Sequence, residues 1–240
     1  LVGNQPSRQV KSVGESLAGR AAYLALRPLT EREKRADSAP PPWTALCKAA
    51  DLDAAAAVLS APRSFDWAQA AIEGGFPPAA LSASPGNRTV WFESYVDTYL
   101  QRDLRDLAQV GDLGAFHRLM RLASLRTGGL VNASELGRDA GLPRQTTQRW
   151  MSLLATSYLA TPLPPFAVSR SKRLIKTPRL YMGDTGLGLF LAGIDTTEDL
   201  LASPRCGGWL ENLILNDLLA WRATLPRKPD VHFMRTAGGQ

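Results

Sequence analysis

Read for the spacing of its apolar positions, the chain opens with a lightly patterned front and becomes strongly helical behind it. Leu1-Val2 before Gly3, and the run Ala21–Leu26 ending at Pro28, read as two short buried strands on either side of a polar loop. Ala39-Pro40-Pro41-Pro42 can neither continue a helix nor donate to a ladder, so a loop is expected there, ahead of an alanine-rich helix over Asp51–Leu59. A second short helix, Asp66–Ile72, lies between Pro62 and Gly74-Gly75-Phe76-Pro77-Pro78, and the latter stretch is the preferred domain boundary. Over Thr89–Leu107 the positions Val90, Tyr95, Val96, Tyr99, Leu100, Leu104 and Leu107 recur at helical spacing and leave Arg102, Asp103, Arg105 and Asp106 outside the stripe, predicting a long amphipathic helix. Another helix, Leu113–Leu125, ends at Gly128-Gly129, where glycine can form a left-handed cap.

The pattern that follows has the clearest mechanics. Asn132-Ala133-Ser134-Glu135 has capping-box spacing and opens a short helix that stops at Gly141. Gly141-Leu142-Pro143 then feeds a second helix from about Arg144 to Tyr158. On it Thr147, Trp150, Met151 and Leu154 fall at i, i+3, i+4 and i+7 and face inward, while Arg144, Gln145, Gln148, Arg149 and Ser152 fall on the other side. Helix, glycine turn, helix is the helix-turn-helix layout, and Arg and Gln near the start of the second helix can hydrogen-bond base edges in a major groove. Tyr158–Pro162 and Arg170–Tyr181 read as a β-hairpin, a wing whose Arg170, Lys172, Arg173, Lys176 and Arg179 could reach phosphates. A protein-interaction module and a merely solvated Arg-rich face are the competing readings. Beyond it come a turn at Gly183-Asp184-Thr185-Gly186 and a strong helix, begun at Glu211, with Leu210, Leu213, Ile214, Asp217 and Trp221 on neighbouring turns. Val231-His232-Phe233-Met234-Arg235 reads as a last strand.

Charge sharpens this picture. Residues 112–182 hold eleven Lys and Arg against three Asp and Glu, a net +8, whereas the chain as a whole is only +6. Most of these cations are Arg, whose forked donors suit phosphate, so a polyanion partner is expected at that segment. At 240 residues and 45% hydrophobic content, one large or two small packed domains are expected. No run approaches the roughly 18 uncharged apolar residues of a membrane span, and no secretory leader is evident, so the expected compartment is the cytoplasm. Two cysteines and two histidines without metal-ligand spacing make zinc or a disulfide framework poor expectations, and no metal ligand is assigned. Both ends read as cut: the sequence starts in a strand without methionine and stops just after another.

Several ordered strings carry a family resemblance. Gly14-Glu15-Ser16-Leu17-Ala18-Gly19-Arg20 and Pro28-Leu29-Thr30-Glu31-Arg32-Glu33 resemble the end of the nucleotide-binding domain in a family of uncharacterised prokaryotic AAA-type P-loop ATPases. The remainder looks like that family's C-terminal region, domain of unknown function 4143, through Gly74-Gly75-Phe76-Pro77, Ser94-Tyr95, Thr98 to Leu104, Lys172-Arg173 with Lys176-Thr177-Pro178, Tyr181 with Asp184-Thr185-Gly186-Leu187, Glu211-Asn212 and Arg235-Thr236. The resemblance implies a polar sensor residue at Asn4. It makes Arg20 and Arg102 arginine-finger candidates, against a salt bridge for Arg20 and a helix anchor for Arg102 and Asp103. Its last part is similar to PD-(D/E)xK nucleases, with Glu211 in the place of their helical acid.

The sequence contains no G-x-x-x-x-G-K-[ST] loop to hold phosphates, so no cofactor is expected for this chain alone, while ATP and Mg are implied for a full-length parent. The resulting expectation is an α+β, mostly helical chain in four parts. Residues 1–75 would be the tail of an ATPase domain, 76–111 linking helices, 112–182 a winged helix-turn-helix, and 183–240 the start of a nuclease-like α/β domain. Functionally it would be a C-terminal fragment of an ATPase, not catalytic on its own. The alternatives are a stand-alone winged-helix DNA-binding protein and a metal-dependent nuclease.

Overall fold

Short polar side chains start most of the helices. In the computed structural model, which describes residues 25–60, 65–98, 112–166 and 177–234, the elements are α1 (Glu31–Lys34), α2 (Pro42–Lys48), α3 (Leu52–Leu59), α4 (Trp67–Glu73), α5 (Pro77–Ala80), α6 (Pro85–Thr98), α7 (Leu113–Ser124), α8 (Ala133–Ala140) and α9 (Arg144–Thr156). Strands β1 (Ala160–Leu163) and β2 (Arg179–Met182) follow, then α10 (Thr185–Ala192), α11 (Thr197–Ala202) and α12 (Cys206–Thr224). Asp51, Asp66, Asp112, Asn132, Asp184 and Thr196 each accept a hydrogen bond from a backbone N–H of the first turn they precede, satisfying donors that no intrahelical carbonyl can reach. Among the described residues the architecture is mostly helical with one two-stranded sheet, consistent with the α+β expectation.

Helix α10 runs through the middle. Its Leu187, Leu189 and Leu191 are buried, and it packs against α4, α7, α6 and α12. Close packing needs its two glycines: a Cβ on Gly186 would lie 2.9 Å from the Gly74 nitrogen, and one on Gly188 would lie 2.8 Å from the Trp209 ring. This helix was read from sequence only as a turn at Gly183–Gly186, because a helix apolar all round shows no amphipathic stripe. One apolar cluster joins α10 to Ala71, Phe92, Phe116, Leu119, Trp150, Leu154 and Trp209.

The sheet pairs Ala160 with Met182 and Leu163 with Arg179, antiparallel. On its other edge the stretch 128–131 lies against β2: Gly128 N–H donates to Leu180 O (2.7 Å), Leu180 N–H to Gly129 O (2.9 Å) and Val131 N–H to Pro178 O (2.9 Å). Gly128 takes φ +77° there. A second, smaller cluster of Leu163, Tyr181, Leu215, Leu219 and Phe233 packs α12 beneath the sheet.

Four expectations are corrected. Residues 25–30 are irregular, so the expected strand Ala21–Leu26 does not extend over Ala25 and Leu26, and its first four positions lie outside the described residues. Residues 231–234 make a single bridge, Phe233 to Pro165, instead of a strand. The inner face of α6 is Arg88, Phe92 and Val96, and Val90 is exposed. Arg88 can be buried because its guanidinium donates to Ala79 O (3.3 Å) and Ser82 O (3.4 Å). Finally, α12 begins at Cys206, not Glu211, and buries Trp209, Asn212, Leu215 and Leu219, which is not the stripe through Leu210, Leu213, Ile214, Asp217 and Trp221. Residues beyond Thr98 in the expected Thr89–Leu107 helix lie outside the described residues.

Candidate nucleic-acid interface

Helices α7, α8 and α9 with the two strands form one local unit. Asn132 Oδ1 accepts from Ser134 N (3.0 Å) and Glu135 N (3.2 Å), setting the start of α8. Its end is fixed by Gly141 in the left-handed conformation, with Leu142 N–H donating to Gly137 O at 2.7 Å. Three residues later α9 has begun. The two helices cross closely, since a Cβ on Gly137 would lie 2.5 Å from Thr147 Oγ1. Arg118 ties α7 to the end of α8 through Ala140 O (2.9 Å), and Arg126 pairs with Asp139.

Within α9 the expected division of faces holds for most positions. Thr147, Trp150 and Leu154 are buried, with the Trp150 ring edge-on to Phe116 at 5.2 Å, while Met151 is only half-buried. Arg144, Gln145, Gln148 and Arg149 are all exposed, as is Ser152. Because i, i+1, i+4 and i+5 fall on one side of a helix, these four side chains project together into solvent.

The +8 of residues 112–182 is less available than its count suggests. Arg118 and Arg121 donate to Ala140 O and Leu191 O, Arg126 pairs with Asp139, and Arg179 pairs with Glu211 at 3.0 Å. Arg138, Arg144 and Arg149 are exposed and take part in no ion pair or side-chain hydrogen bond among the described residues. The wing cations Arg170, Lys172, Arg173 and Lys176 lie outside the described residues, as do Asn4, Arg20 and Arg102.

Glu211, the helical acid of the nuclease resemblance, is held by two side chains of β2. Its Oε2 accepts from Tyr181 Oη (2.9 Å) and from the Arg179 guanidinium, which also stands over the Phe233 ring at 5.0 Å. Burial is the first cause pushing the Tyr181 hydroxyl above its ordinary range, and the Glu211 charge adds to it. Among the described residues no group of three His, Cys, Asp or Glu is placed to hold a metal ion. The neighbouring Asn212 is wholly buried and brackets Met182, accepting from its N–H (2.7 Å) and donating to its carbonyl (2.8 Å).

Asp184, read only as part of a turn, is the most heavily committed carboxylate in the core. One oxygen accepts from Leu187 N (2.8 Å), capping α10, and the other from Gly75 N (2.6 Å), 109 positions earlier in the chain. Burial pushes its carboxyl up from the ordinary aspartate range, against the lowering effect of those two N–H groups. The sequence signal was present in the Asp-Thr-Gly-Leu cap spacing, but nothing local reveals the distant Gly75 partner.

The family model described as domain of unknown function (DUF8612) matches residues 64–198, from just before α4 to the start of α11, and the chain belongs to that family. This is a different domain of unknown function from the one expected from the sequence motifs, number 4143. Curated relatives named uncharacterized protein Rv2008c, from Mycobacterium tuberculosis, and uncharacterized protein Mb2031c, from Mycobacterium bovis, are each 26% identical over 226 residues. Those alignments take in 94% of this chain and 45% of each relative, so the chain spans less than half the length of the curated relatives it matches. No solved structure matches. No helix among the described residues is long and apolar enough to cross a membrane.

Proposed function

We propose that residues 112–182 of this DUF8612 chain act as a winged-helix module that binds duplex DNA, with α9 as the reading helix. The observation that carries the reading is the outward group Arg144, Gln145, Gln148 and Arg149, on a helix whose opposite face is locked by Thr147, Trp150 and Leu154. Bidentate Arg contacts to guanine and Gln contacts to adenine are the pairings such a face offers in a major groove. The element order also supports it: α7, the paired stretch 128–131, α8, α9, β1 and β2 follow the helix, strand, helix, helix, strand, strand sequence of a winged helix, with the wing cations between the last two strands. Electrophoretic shifts on mixed-sequence duplex should show salt-dependent binding, weakened when Arg144 and Arg149 are replaced by Ala. No shift at about 50 mM salt would overturn DNA binding and leave a protein-interaction module.

The wider reading makes this chain the C-terminal section of an AAA-type ATPase, acting in the cytoplasm, whose nucleotide turnover is coupled to the module. It is favoured by the ordered motifs described above. The chain carries no phosphate-holding loop, so calorimetric titration with Mg-ATP should give no micromolar binding; such binding would overturn the reading.

A further inference from the structure

A cleft of about 680 Å³ opens between residues 28–43, α4 and α12. That is an ordinary size for a site that encloses a small organic molecule. Its walls are aromatic and aliphatic, with Trp43, Phe65 and Trp67 lining it together with Leu213 and Ile214 of α12. Phe65 is 41% exposed and Ile214 47%, so large apolar surface stays wet there.

The charged groups at the wall are already committed. Arg32 lies 3.7 Å from Asp37 and donates to Asp37 O, and Arg35 lies 3.8 Å from Glu31. Asp184 accepts from the Gly75 and Leu187 N–H groups, and Asp217 accepts from the Trp43 indole at 2.7 Å and holds a further interaction. A charged ligand would therefore shed its hydration without gaining a free counter-charge. The uncommitted groups are neutral ones. Thr185, at the start of α10, lines the cleft and is only 2% exposed, yet its hydroxyl makes no hydrogen bond among the described residues. Asn216, on α12, also lines the cleft, and its Oδ1 is shut from water without a partner. Leaving such groups unpaired is costly, and a turn about the last torsion of Asn216 presents either end of its carboxamide. A hydroxyl and a carboxamide each both donate and accept.

We infer that the cleft binds a small neutral aromatic molecule whose polar edge both donates and accepts hydrogen bonds, as a carboxamide does, with its ring among Trp43, Phe65, Leu213 and Ile214 and that edge toward Thr185 and Asn216. This does not depend on the DNA-binding reading. The probes are benzamide, benzoate and benzamidinium, one planar shape in neutral, anionic and cationic form, each titrated into the full chain by NMR. Benzamide should bind saturably and at least about ten-fold more tightly than either ion. Thr185→Val keeps the shape but removes the hydroxyl, and should weaken benzamide binding about three- to ten-fold. Because that hydroxyl has no partner in the fold, the variant's melting temperature should be no lower than wild type; a hydroxyl that serves the fold would lower it. Ile214→Arg, at an exposed position, fills part of the cleft with a charged chain and should abolish benzamide binding. Equal or tighter binding of either ion, no saturation by benzamide, undiminished binding in either variant, or a lowered melting temperature for Thr185→Val would each overturn the inference.

Discussion

Replacing Asn212 by Ala tests whether the pair Glu211-Asn212 serves the fold or a chemistry. The Asn212 side chain is fully buried and satisfies both backbone groups of Met182, at 2.7 and 2.8 Å. Alanine would strand a buried N–H and a buried carbonyl. Stranding such a group costs about 1–3 kcal/mol, so with partial relaxation the loss should be about 2–5 kcal/mol. For a chain of this size that corresponds to a fall of roughly 5–15 °C in melting temperature, followed by far-ultraviolet circular dichroism and tryptophan emission. Asn212→Asp makes a sharper test. When protonated, the new carboxyl can still donate to Met182 O; when ionised, it faces that carbonyl with a buried charge. Burial raises its folded-state pKa, so this variant should be near wild type in acid and lose stability as pH rises through that value. Glu211→Gln, at a half-exposed ion pair, should cost less than about 1 kcal/mol. An Asn212→Ala variant within 0.5 kcal/mol of wild type, or a Glu211→Gln variant as costly as it, would refute the reasoning.

Three further outcomes follow from the same geometry. Gly188→Ala would bring a Cβ within 2.8 Å of the Trp209 ring and of Met182 Cγ, and should cost about 1–3 kcal/mol in urea unfolding. At Asp184, burial raises the folded carboxyl above its unfolded value, so its proton contributes stability that is present at low pH and lost as pH rises. The stability of wild type relative to Asp184→Asn should therefore shrink as pH rises from about 4; a margin that grows would contradict this. In DNA binding, if only Arg138, Arg144 and Arg149 meet phosphates, the logarithmic salt slope should be near −2.7, and a steeper slope that falls on replacing Lys172, Arg173 and Lys176 would bring the wing into contact.

Where structure follows local rules, the sequence was legible. Capping side chains fix helix starts within a turn of chain, so Asp51, Asp66 and Asn132 mark α3, α4 and α8, and Gly141 marks the end of α8. The α9 faces were legible because that helix is amphipathic, with one side in the core and one in water. Two kinds of feature were not. The inner residues of α10 are apolar on every side and interrupted by glycines, so they carry no period to detect. Long-range polar contacts such as Asp184 with Gly75 leave no trace in spacing, because each partner looks like ordinary turn chemistry where it stands.

Helix α12 shows why periodicity alone cannot choose a face. The stripe Leu210, Leu213, Ile214, Asp217 and Trp221 is real, but the core takes Trp209, Asn212, Leu215 and Leu219. Both faces are apolar enough to be buried, and the polar Asn212 makes the true core face look the worse of the two. What settles the matter is tertiary: Asn212 finds both its partners on β2, so the face that carries it can be buried without cost to an unsatisfied amide. The other stripe meets residues 28–44 instead, where the Trp43 indole donates to Asp217 and Thr44 accepts from the Trp221 indole at 3.0 Å, and between these contacts the wall stays open. A helix with two apolar faces thus does two jobs: it packs the core with one and lines a ligand-sized space with the other. A substitution such as Ile214→Arg should accordingly be silent in stability where Leu215→Ala, at 6% exposure, should cost about 2–5 kcal/mol.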